Sequence, residues 1–153
     1  MRRKDKEIKD TKEIESIINK SDICRIALSE NNSPYIVPVC FGYKDNCLYI
    51  HSAPDGKKID IINKNNNVCF EFDTHEGLIS SENPCEWDVK YCSVIGYGKA
   101  FFIDEPEEKI KALDFIAGHY SSDAFEYQTN SVDNVTVIKI EIENLTGKKS
   151  GYL

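Results

Sequence analysis

Apolar positions recur along this chain with two different periods, and each period predicts a different kind of element. Runs that alternate between apolar and polar residues predict strands, whereas apolar residues spaced three and four apart predict helices. The predicted strands are residues 23–30, 34–44, 47–52, 67–74, 91–104 and 135–143. The predicted helices are residues 11–20, 56–64 and 105–120. Strands and helices do not alternate regularly, which indicates an α+β domain rather than a doubly wound sheet.

Turn residues set the expected pairing of the first three strands. The polar sequence NNSP separates the first strand from the second, and KDN separates the second from the third. Short polar connections join antiparallel neighbours, so we expect a three-stranded meander. Gly96 and Gly98, within the strand at 91–104, indicate a β-bulge or a close approach of another backbone. Together the six strands predict a small antiparallel barrel or sandwich with helices around it.

Capping residues indicate where helices begin, and the absence of a period indicates irregular segments. Asp10 and Glu13 have the spacing of a capping box, and Pro106 suits the first turn of the third helix. The buried stripe of that helix is expected to be Ile110, Leu113, Ile116 and Ala117. Residues 75–90 have no clean period and contain the only Trp, so they predict a long functional or interface loop. Residues 121–134 are expected to form an irregular segment without a helix or strand.

Length and charge narrow the classes of protein that the chain can belong to. A chain of 153 residues is long enough for one domain with its own core. The net charge of -7, from 26 acidic and 19 basic residues, argues against a nucleic-acid surface, which needs a basic stripe. The N-terminal sequence MRRKDKEIKD has no apolar run behind it, and no stretch is long enough to span a bilayer. We therefore expect a cytoplasmic protein with neither a membrane nor a nucleic acid as partner.

Six cysteines and three histidines are the residues that could build a metal site. The cysteines include no C-x-x-C pair, and the histidines are far apart in sequence. Thiols stay reduced in the cytoplasm, and several of these cysteines alternate with apolar residues, as in VCFEF. They are expected to behave as small hydrophobic residues. The sequence therefore predicts no metal site.

The sequence LYIHSAPDGKKIDIIN, residues 48–63, raises the clearest question of chemistry. A strand ends there and a helix begins near Gly56, so Lys57 and Lys58 lie at the start of the helix. Free backbone N–H groups and the positive end of the helix dipole collect at the same point, which favours an anion. Lysines are also common at solvated helix starts. This stretch alone leaves both interpretations open.

Three stretches, taken in order, resemble one protein family. They are RIALSENNSPYIVPVCFGY, LYIHSAPDGKKIDIINKNNNVCFEF and YCSVIGYGKAFFIDEPEEKIKALDFI, and the similarity spans roughly residues 8–149. The chain is similar to the pyridoxamine 5′-phosphate oxidase-like flavoproteins, and within them to the nitroimidazole-resistance branch. The resemblance implies an α+β fold, a six-stranded antiparallel split β-barrel with peripheral helices. It also implies a homodimer with two FMN sites at the subunit interface.

The resemblance further implies three groups of FMN-binding residues. The corner that receives the phosphate consists of Ser52, Ala53, Gly56, Lys57 and Lys58. The strand beside the isoalloxazine ring contributes Pro38, Val39, Cys40 and Phe41. A third group approaches from another strand and consists of Tyr91, Ser93 and Val94. Without the resemblance, an empty edge strand is the favoured interpretation of the Pro38 segment, and residues 91–94 are equally well part of a core strand.

The three histidines are candidates of unequal strength for a cofactor-binding or catalytic role. His51 directly precedes the corner, where nitroimidazole-resistance proteins also tend to have a histidine near the flavin. A neutral imidazole there can orient a substrate or donate a proton, so His51 is predicted as a cofactor contact and as the catalytic residue. The alternative is a histidine on the outer face of a strand without a role. His75 and His119 are weaker candidates, and Trp87 is expected at the subunit interface or over the flavin.

The expected activity follows from the resemblance and from one departure from it. The C-terminal sequence NLTGKKSGYL lacks the Arg- and His-rich substrate segment of true pyridoxamine phosphate oxidases, so vitamin B6 oxidation is not expected. The resemblance implies an FMN-dependent oxidoreductase that reduces a small, flat acceptor such as a 5-nitroimidazole-type compound. Two alternatives stay open. One is a flavin-binding module without turnover, and the other is a haem-binding split-barrel protein with His51, His75 or His119 as ligand.

Overall fold

The structure is a computed structural model that describes residues 3–152. Its strands are β1 (Glu7–Ile8), β2 (Cys24–Glu30), β3 (Ser33–Val39), β4 (Gly42–Lys44), β5 (Cys47–Ser52), β6 (Asn67–Ile79), β7 (Asp88–Ile103) and β8 (Thr136–Ser150). Its α-helices are α1 (Thr11–Lys20), α2 (Lys57–Lys64), α3 (Pro106–Tyr120) and α4 (Thr129–Asp133). Short 3₁₀ helices lie at Lys4–Lys6 and Pro84–Glu86. Within the described residues, no helix combines the length and the apolar character needed to cross a membrane.

All strands belong to one antiparallel sheet that curls into a split barrel. The strand order is β3-β2-β6-β7-β8-β5-β4, and β1 pairs with the far end of β8. The two ends of this path, β3 and β4, are joined in the chain by Cys40 and Phe41 alone, which can span only about 10 Å. The predicted α+β split barrel with peripheral helices is therefore confirmed. It has eight strands rather than six, because residues 34–44 form two strands and β1 is added.

The predicted meander of the first three strands is wrong. The two predicted turns do form hairpins, β2 with β3 and β4 with β5. Their turn residues have the positive φ that two-residue hairpin turns require, at Asn31, Asn32, Asp45 and Asn46. However, the chain leaves the sheet between β3 and β4, so the two hairpins lie at opposite ends of the strand order. Pro38, which cannot donate a ladder hydrogen bond, lies in the edge strand β3.

The strands β6, β7 and β8 extend further than predicted. Residues 75–90 are not a long loop, because β6 continues to Ile79 and β7 begins at Asp88. The pairing register shifts between His75 and Gly77, and this bulge interrupts the alternation on which the sequence prediction depended. The last strand, predicted to end at residue 143, continues to Ser150 in β8, and α4 lies within residues 121–134, where no regular element was expected.

The helix ends and faces differ from the predictions in detail. Asp10 caps α1 by accepting a hydrogen bond from the Lys12 amide at 2.9 Å. Glu13 does not complete a capping box, because its carboxylate accepts a hydrogen bond from Lys149 Nζ at 2.9 Å. The buried residues of α3 are Ala112 and Ile116, while the predicted Ile110 is exposed and Leu113 and Ala117 are only half-buried. The buried stripe is narrow because α3 lies on the outside of the barrel, against β4 and β5.

Aromatic rings fill the middle of the barrel, and glycines make room for them. Phe41 and Phe70 both pack on Phe72, with ring centroids 4.8 Å and 5.9 Å away, and all three side chains are fully buried. Gly96 faces the Phe70 ring so closely that a Cβ would overlap it. The pairing of β7 with β8 shifts between Tyr97 and Gly98. Both the bulge and the close approach predicted from the two glycines are present.

We expect Gly96→Ala to lower the free energy of unfolding by about 1–3 kcal/mol, because the new Cβ would displace the buried ring of Phe70. Urea denaturation followed by circular dichroism measures the change. Gly118→Ala is the matched control, since nothing lies within 4 Å of its Cβ position in α3. There the same substitution is expected to raise the free energy of unfolding by about 0.5–1 kcal/mol. A Gly96→Ala protein as stable as wild type would contradict this packing.

Candidate functional site

The corner between β5 and α2 has free hydrogen-bond donors. Gly56 is the N-cap of α2, with a φ of 128°, and it provides no side-chain cap. The first hydrogen bond within the helix is donated by the Asp60 amide to the Gly56 carbonyl, at 3.0 Å. The three amides before Asp60 therefore point out of the helix start without a capping side chain. Ser52, the last residue of β5, brings a half-buried hydroxyl to the same corner.

The two lysines of the corner have different surroundings. Lys57 is exposed, and its Nζ lies 4.8 Å from the centroid of the Tyr35 ring on β3. Lys58 is half-buried, and burial lowers the pKa of its ammonium group. Neither lysine forms an ion pair with a carboxylate among residues 3–152. Lys58 is thus the lysine that turns inward, a distinction that the sequence did not provide.

Residues 38–41, predicted to lie beside the isoalloxazine ring, divide into two kinds. Pro38 and Cys40 are exposed, and Val39 is half-buried. Phe41, in contrast, is fully buried, and its amide donates a hydrogen bond to the Tyr120 hydroxyl at 3.0 Å. The prediction of a cofactor contact is therefore wrong for the Phe41 side chain, which belongs to the core. Because β3 is an edge strand, its outer backbone groups are open to a ligand.

Tyr91, Ser93 and Val94 also divide between the two faces of a strand. Val94 is fully buried and pairs across the sheet with Phe72, so its side chain cannot contact a ligand on the surface. The predicted cofactor contact is therefore wrong for the Val94 side chain. Tyr91 and Ser93 lie on the opposite, outer face and are half-buried. Both residues are far from the corner. His51 of β5 and Ile103 of β7 pair with the same residue of β8, Val137, so Ile103 marks the end of β7 nearest the corner. Roughly 30 Å of extended strand separates Ile103 from Val94.

The three histidines have distinct surroundings. His51 is exposed on β5 beside the corner, and no side-chain hydrogen bond holds its ring among the described residues. His119 has its Nε2 atom 2.8 Å from the Ser21 carbonyl oxygen, and its ring lies 4.2 Å from that of Phe41. His119 is therefore a structural residue. His75 is exposed on β6, directly across from Tyr91.

Trp87 lies in the short connection between β6 and β7. Its Nε1–H group donates a hydrogen bond to the Ser81 carbonyl at 2.8 Å, which fixes the ring in the loop. The ring is exposed in the single chain. Its contact with a flavin or with a second subunit stays a prediction.

Sequence reasoning missed two residues that the fold places beside the predicted ones. Tyr35 supplies the ring under Lys57. Lys148 lies across from Ser93 in the pairing of β7 with β8, and its Nζ is 5.3 Å from the centroid of the Tyr91 ring. The Gly-Lys-Lys sequence near the C-terminus was the available signal. The predicted last strand ends at residue 143, so the sequence does not place these lysines on a sheet face.

The outer face of the sheet has an apolar area. Its large exposed side chains include Ile36 on β3 and Ile95, Tyr97 and Phe101 on β7. A cleft of about 340 Å³ crosses the same face, between Pro34, Ala27, Cys69 and Tyr97. Ile36, Ala27, Cys69 and Tyr97 follow one another across four neighbouring strands. A continuous apolar surface of this kind is typical of an interface.

Known proteins share both the sequence pattern and the fold. A candidate 5-nitroimidazole antibiotic resistance protein from Bacteroides thetaiotaomicron is 40% identical, with a TM-score of 0.83, over 93% of this chain and 85% of that one. A FAD- and haem-binding protein from Mycobacterium smegmatis shares the fold, with a TM-score of 0.86 at 15% identity, over 96% of this chain and 74% of that one.

Two sequence comparisons complete these findings. An uncharacterized protein of Rhizobium meliloti is 34% identical over 59 residues, which are 39% of this chain and 38% of that protein. The chain thus covers less than half the length of this curated relative. The sequence profile described as pyridoxamine 5′-phosphate oxidase matches residues 10–149, nearly the whole chain. The chain therefore belongs to the pyridoxamine 5′-phosphate oxidase family.

Proposed function

We propose that this protein binds FMN and uses it to reduce a small, flat acceptor such as a nitroaromatic compound. The observation that carries the proposal is the start of α2. Its first turn combines uncapped amides with the half-buried Lys58 and the exposed Lys57, and neither lysine forms an ion pair with a carboxylate among residues 3–152. The 40% identical relative, a candidate nitroimidazole-resistance protein, supports a nitroaromatic acceptor, and the FAD- and haem-binding protein of the same fold supports a flavin as the ligand.

The residues at the corner fit a single phosphate group. Ser52 offers a hydroxyl donor, the first turn of α2 offers amide donors, and the two lysines offer positive charge. Nothing lies within 4 Å of the Cβ position of Gly56, so the backbone leaves room for an anion. The nearby carboxylates of Asp55 and Asp60 are exposed, where water screens their charge. FMN, which carries one phosphate, matches this set of groups.

A second copy of the chain would complete the site. A ligand at the corner cannot also contact Tyr91 and Ser93 of the same chain, because the length of β7 separates them. The outer face that carries Tyr91 and Ser93 continues into the apolar surface around Tyr97. A homodimer that buries this surface would bring Tyr91 and Ser93 of one copy toward the corner of the other. The proposed assembly is therefore a homodimer with FMN between the copies.

His51 has the position and the freedom of a proton donor. A bound flavin would supply the electron transfer itself. The exposed imidazole of His51 can hold a proton on a ring nitrogen and donate it to the reduced nitrogen or oxygen of the acceptor. The open edge of β3 at Pro38 leaves backbone groups for the polar edge of the cofactor. The remaining chemistry needs no nucleophile from the chain.

The two alternatives from the sequence differ from this proposal in measurable ways. A flavin-binding module without turnover would hold FMN but would not pass electrons to a nitroaromatic compound. A haem protein would need an axial histidine, and His119 is already engaged with Ser21, which leaves His51 and His75. The absorption spectrum of the protein after addition of FMN or haem distinguishes the cofactors. Reoxidation of the reduced protein by an acceptor distinguishes an enzyme from a module.

We expect Lys58→Ala to weaken FMN binding by about 1.5–3 kcal/mol, because a half-buried charge-assisted contact is lost. Lys57→Ala should cost only about 0.2–1 kcal/mol, because this lysine is exposed. Quenching of FMN fluorescence on titration with protein measures both. Lys64→Ala, in the last turn of the same helix, removes a lysine that pairs with Glu30 and should leave binding unchanged. Equal affinities for the Lys58→Ala and Lys64→Ala proteins would refute the phosphate corner.

Tyr97→Asp is expected to convert the dimer into a monomer, because it places a carboxylate at the centre of the apolar surface. Size-exclusion chromatography with light scattering gives the mass of the particle, and an FMN titration shows whether binding is lost with the dimer. Phe125→Asp is the control, since it changes an equally exposed aromatic residue outside the sheet. A wild-type monomer, or a Tyr97→Asp protein that remains a dimer, would exclude this interface.

His51→Gln should leave FMN binding intact and slow the reduction of a nitroimidazole by about 100-fold, because the proton donor is removed. The protein is reduced with dithionite without oxygen and mixed with the acceptor, and the return of flavin absorbance gives the rate. Equal rates for the variant and the wild type would identify His51 as an ordinary surface residue.

A further inference from the structure

Four side chains that can donate hydrogen bonds form one patch on the outer face of the sheet. We call them the donor patch: His75 on β6, Tyr91 and Ser93 on β7, and Lys148 on β8. His75 lies directly across from Tyr91, and Ser93 lies directly across from Lys148. Such pairs in an antiparallel sheet point to the same face, with Cβ atoms about 4.5–5.5 Å apart. Lys148 Nζ also lies 5.3 Å from the centroid of the Tyr91 ring.

Two charged residues beside the donor patch, Asp73 and Lys149, already have partners. Asp73, the other neighbour of Ser93, forms an ion pair with Arg25. Lys149, the residue after Lys148, forms an ion pair with Glu13 at 2.9 Å. Within residues 3–152, by contrast, the four side chains of the donor patch take part in no side-chain hydrogen bond or ion pair. Their capacity to bind a ligand is therefore free.

The chemistry of the donor patch specifies its ligand. An ammonium group, a phenol, a hydroxyl and an imidazole can all donate hydrogen bonds, and none of them carries a negative charge. Their complement is a group with several acceptor oxygens and a negative charge, such as a carboxylate. The ring edge of a flavin, which presents donors as well as acceptors, is a poorer complement. Two carboxylates lie directly across from members of the donor patch. Asp73, across from Ser93, is paired with Arg25, whereas Glu7 on β1, across from Lys148, forms no ion pair within residues 3–152 and would oppose a bound anion.

We propose that the donor patch binds the carboxylate or a similar oxyanion group of the electron acceptor, so that the protein selects anionic acceptors. The inference rests on the proposed function, because the outer sheet face would be enclosed only by a second copy that carries the flavin. Enclosure excludes water from Lys148, which strengthens its attraction for an anion. Lys148 is the specificity-determining residue of the patch.

The test compares two acceptors that differ only in charge, 4-nitrobenzoate and the neutral 4-nitrobenzamide. Flavin-loaded protein is reduced with dithionite without oxygen and mixed with each acceptor, and the reoxidation rates give the preference of the protein. Calorimetric titration of the oxidised protein with each compound gives the binding constants independently of turnover. The variants are Lys148→Met, Lys148→Arg, Glu7→Gln and, as a matched control, Lys149→Met. Circular dichroism confirms that each variant is folded.

The expected result is a change in selectivity confined to the anionic acceptor. Lys148→Met should weaken binding of 4-nitrobenzoate about tenfold and leave 4-nitrobenzamide unchanged, whereas Lys148→Arg should restore the preference. Glu7→Gln should tighten binding of 4-nitrobenzoate, because an opposing charge is removed. Lys149→Met should match wild type, since this lysine pairs with Glu13.

Three results would overturn the inference. The first is an equal effect of Lys148→Met on both acceptors, and the second is no effect on either. The third is loss of flavin from a folded Lys148→Met protein, which would make Lys148 a cofactor residue. If wild type binds no flavin or reduces neither acceptor, the proposed function fails. The calorimetric comparison of wild type with Lys148→Met then still decides whether the donor patch binds a carboxylate.

Discussion

The hydroxyl group of Tyr120 holds the split of the barrel together. It accepts a hydrogen bond from the Phe41 amide at 3.0 Å and donates one to the Asp22 carbonyl at 2.9 Å. Burial raises the pKa of Tyr120 to about 12, so the hydroxyl keeps its proton at every physiological pH. The chain crosses from one end of the sheet to the other at Cys40 and Phe41, where no ladder partner exists. Tyr120 satisfies the backbone there, and the edge strand that ends at Val39 is fixed in place.

The candidate site follows from this closure. An edge strand is exposed to unwanted pairing, and here Pro38 limits that risk while leaving backbone groups open to a ligand. The sheet also separates the corner at Lys58 from Tyr91 by the length of β7. Although the net charge of the chain is -7, its surface has local positive sites where particular lysines, Lys58 and Lys148 among them, have no carboxylate partner in the described residues. Local pairing, rather than total charge, decides where an anion can bind.

The sequence predicted the strands and helices better than it predicted which strands pair with one another. The strand at 47–52 and the helix at 11–20 agree with the structure, because alternation and helical spacing are local properties. The meander failed because the choice of neighbour depends on where the chain leaves the sheet, and the only hint was Pro38. The loop predicted at 75–90 failed because the bulge at Gly77 shifts the alternation by one residue. Strand length and pairing are set by tertiary contacts that a local pattern does not contain.

For the candidate site, too, the sequence assigns segments better than it assigns individual side chains. A resemblance assigns a segment to a ligand, but neighbouring residues of a strand point to opposite faces, so Ser93 and Val94 cannot both contact it through their side chains. The sequence gives the alternation without saying which face is covered. Only the burial of Val94 against Phe72 decides that. Lys148 could have been found from the same alternation, because a strand that continues through Gly-Lys-Lys must place one lysine on each face. Once one of the two binds Glu13, the other is the lysine left for a ligand.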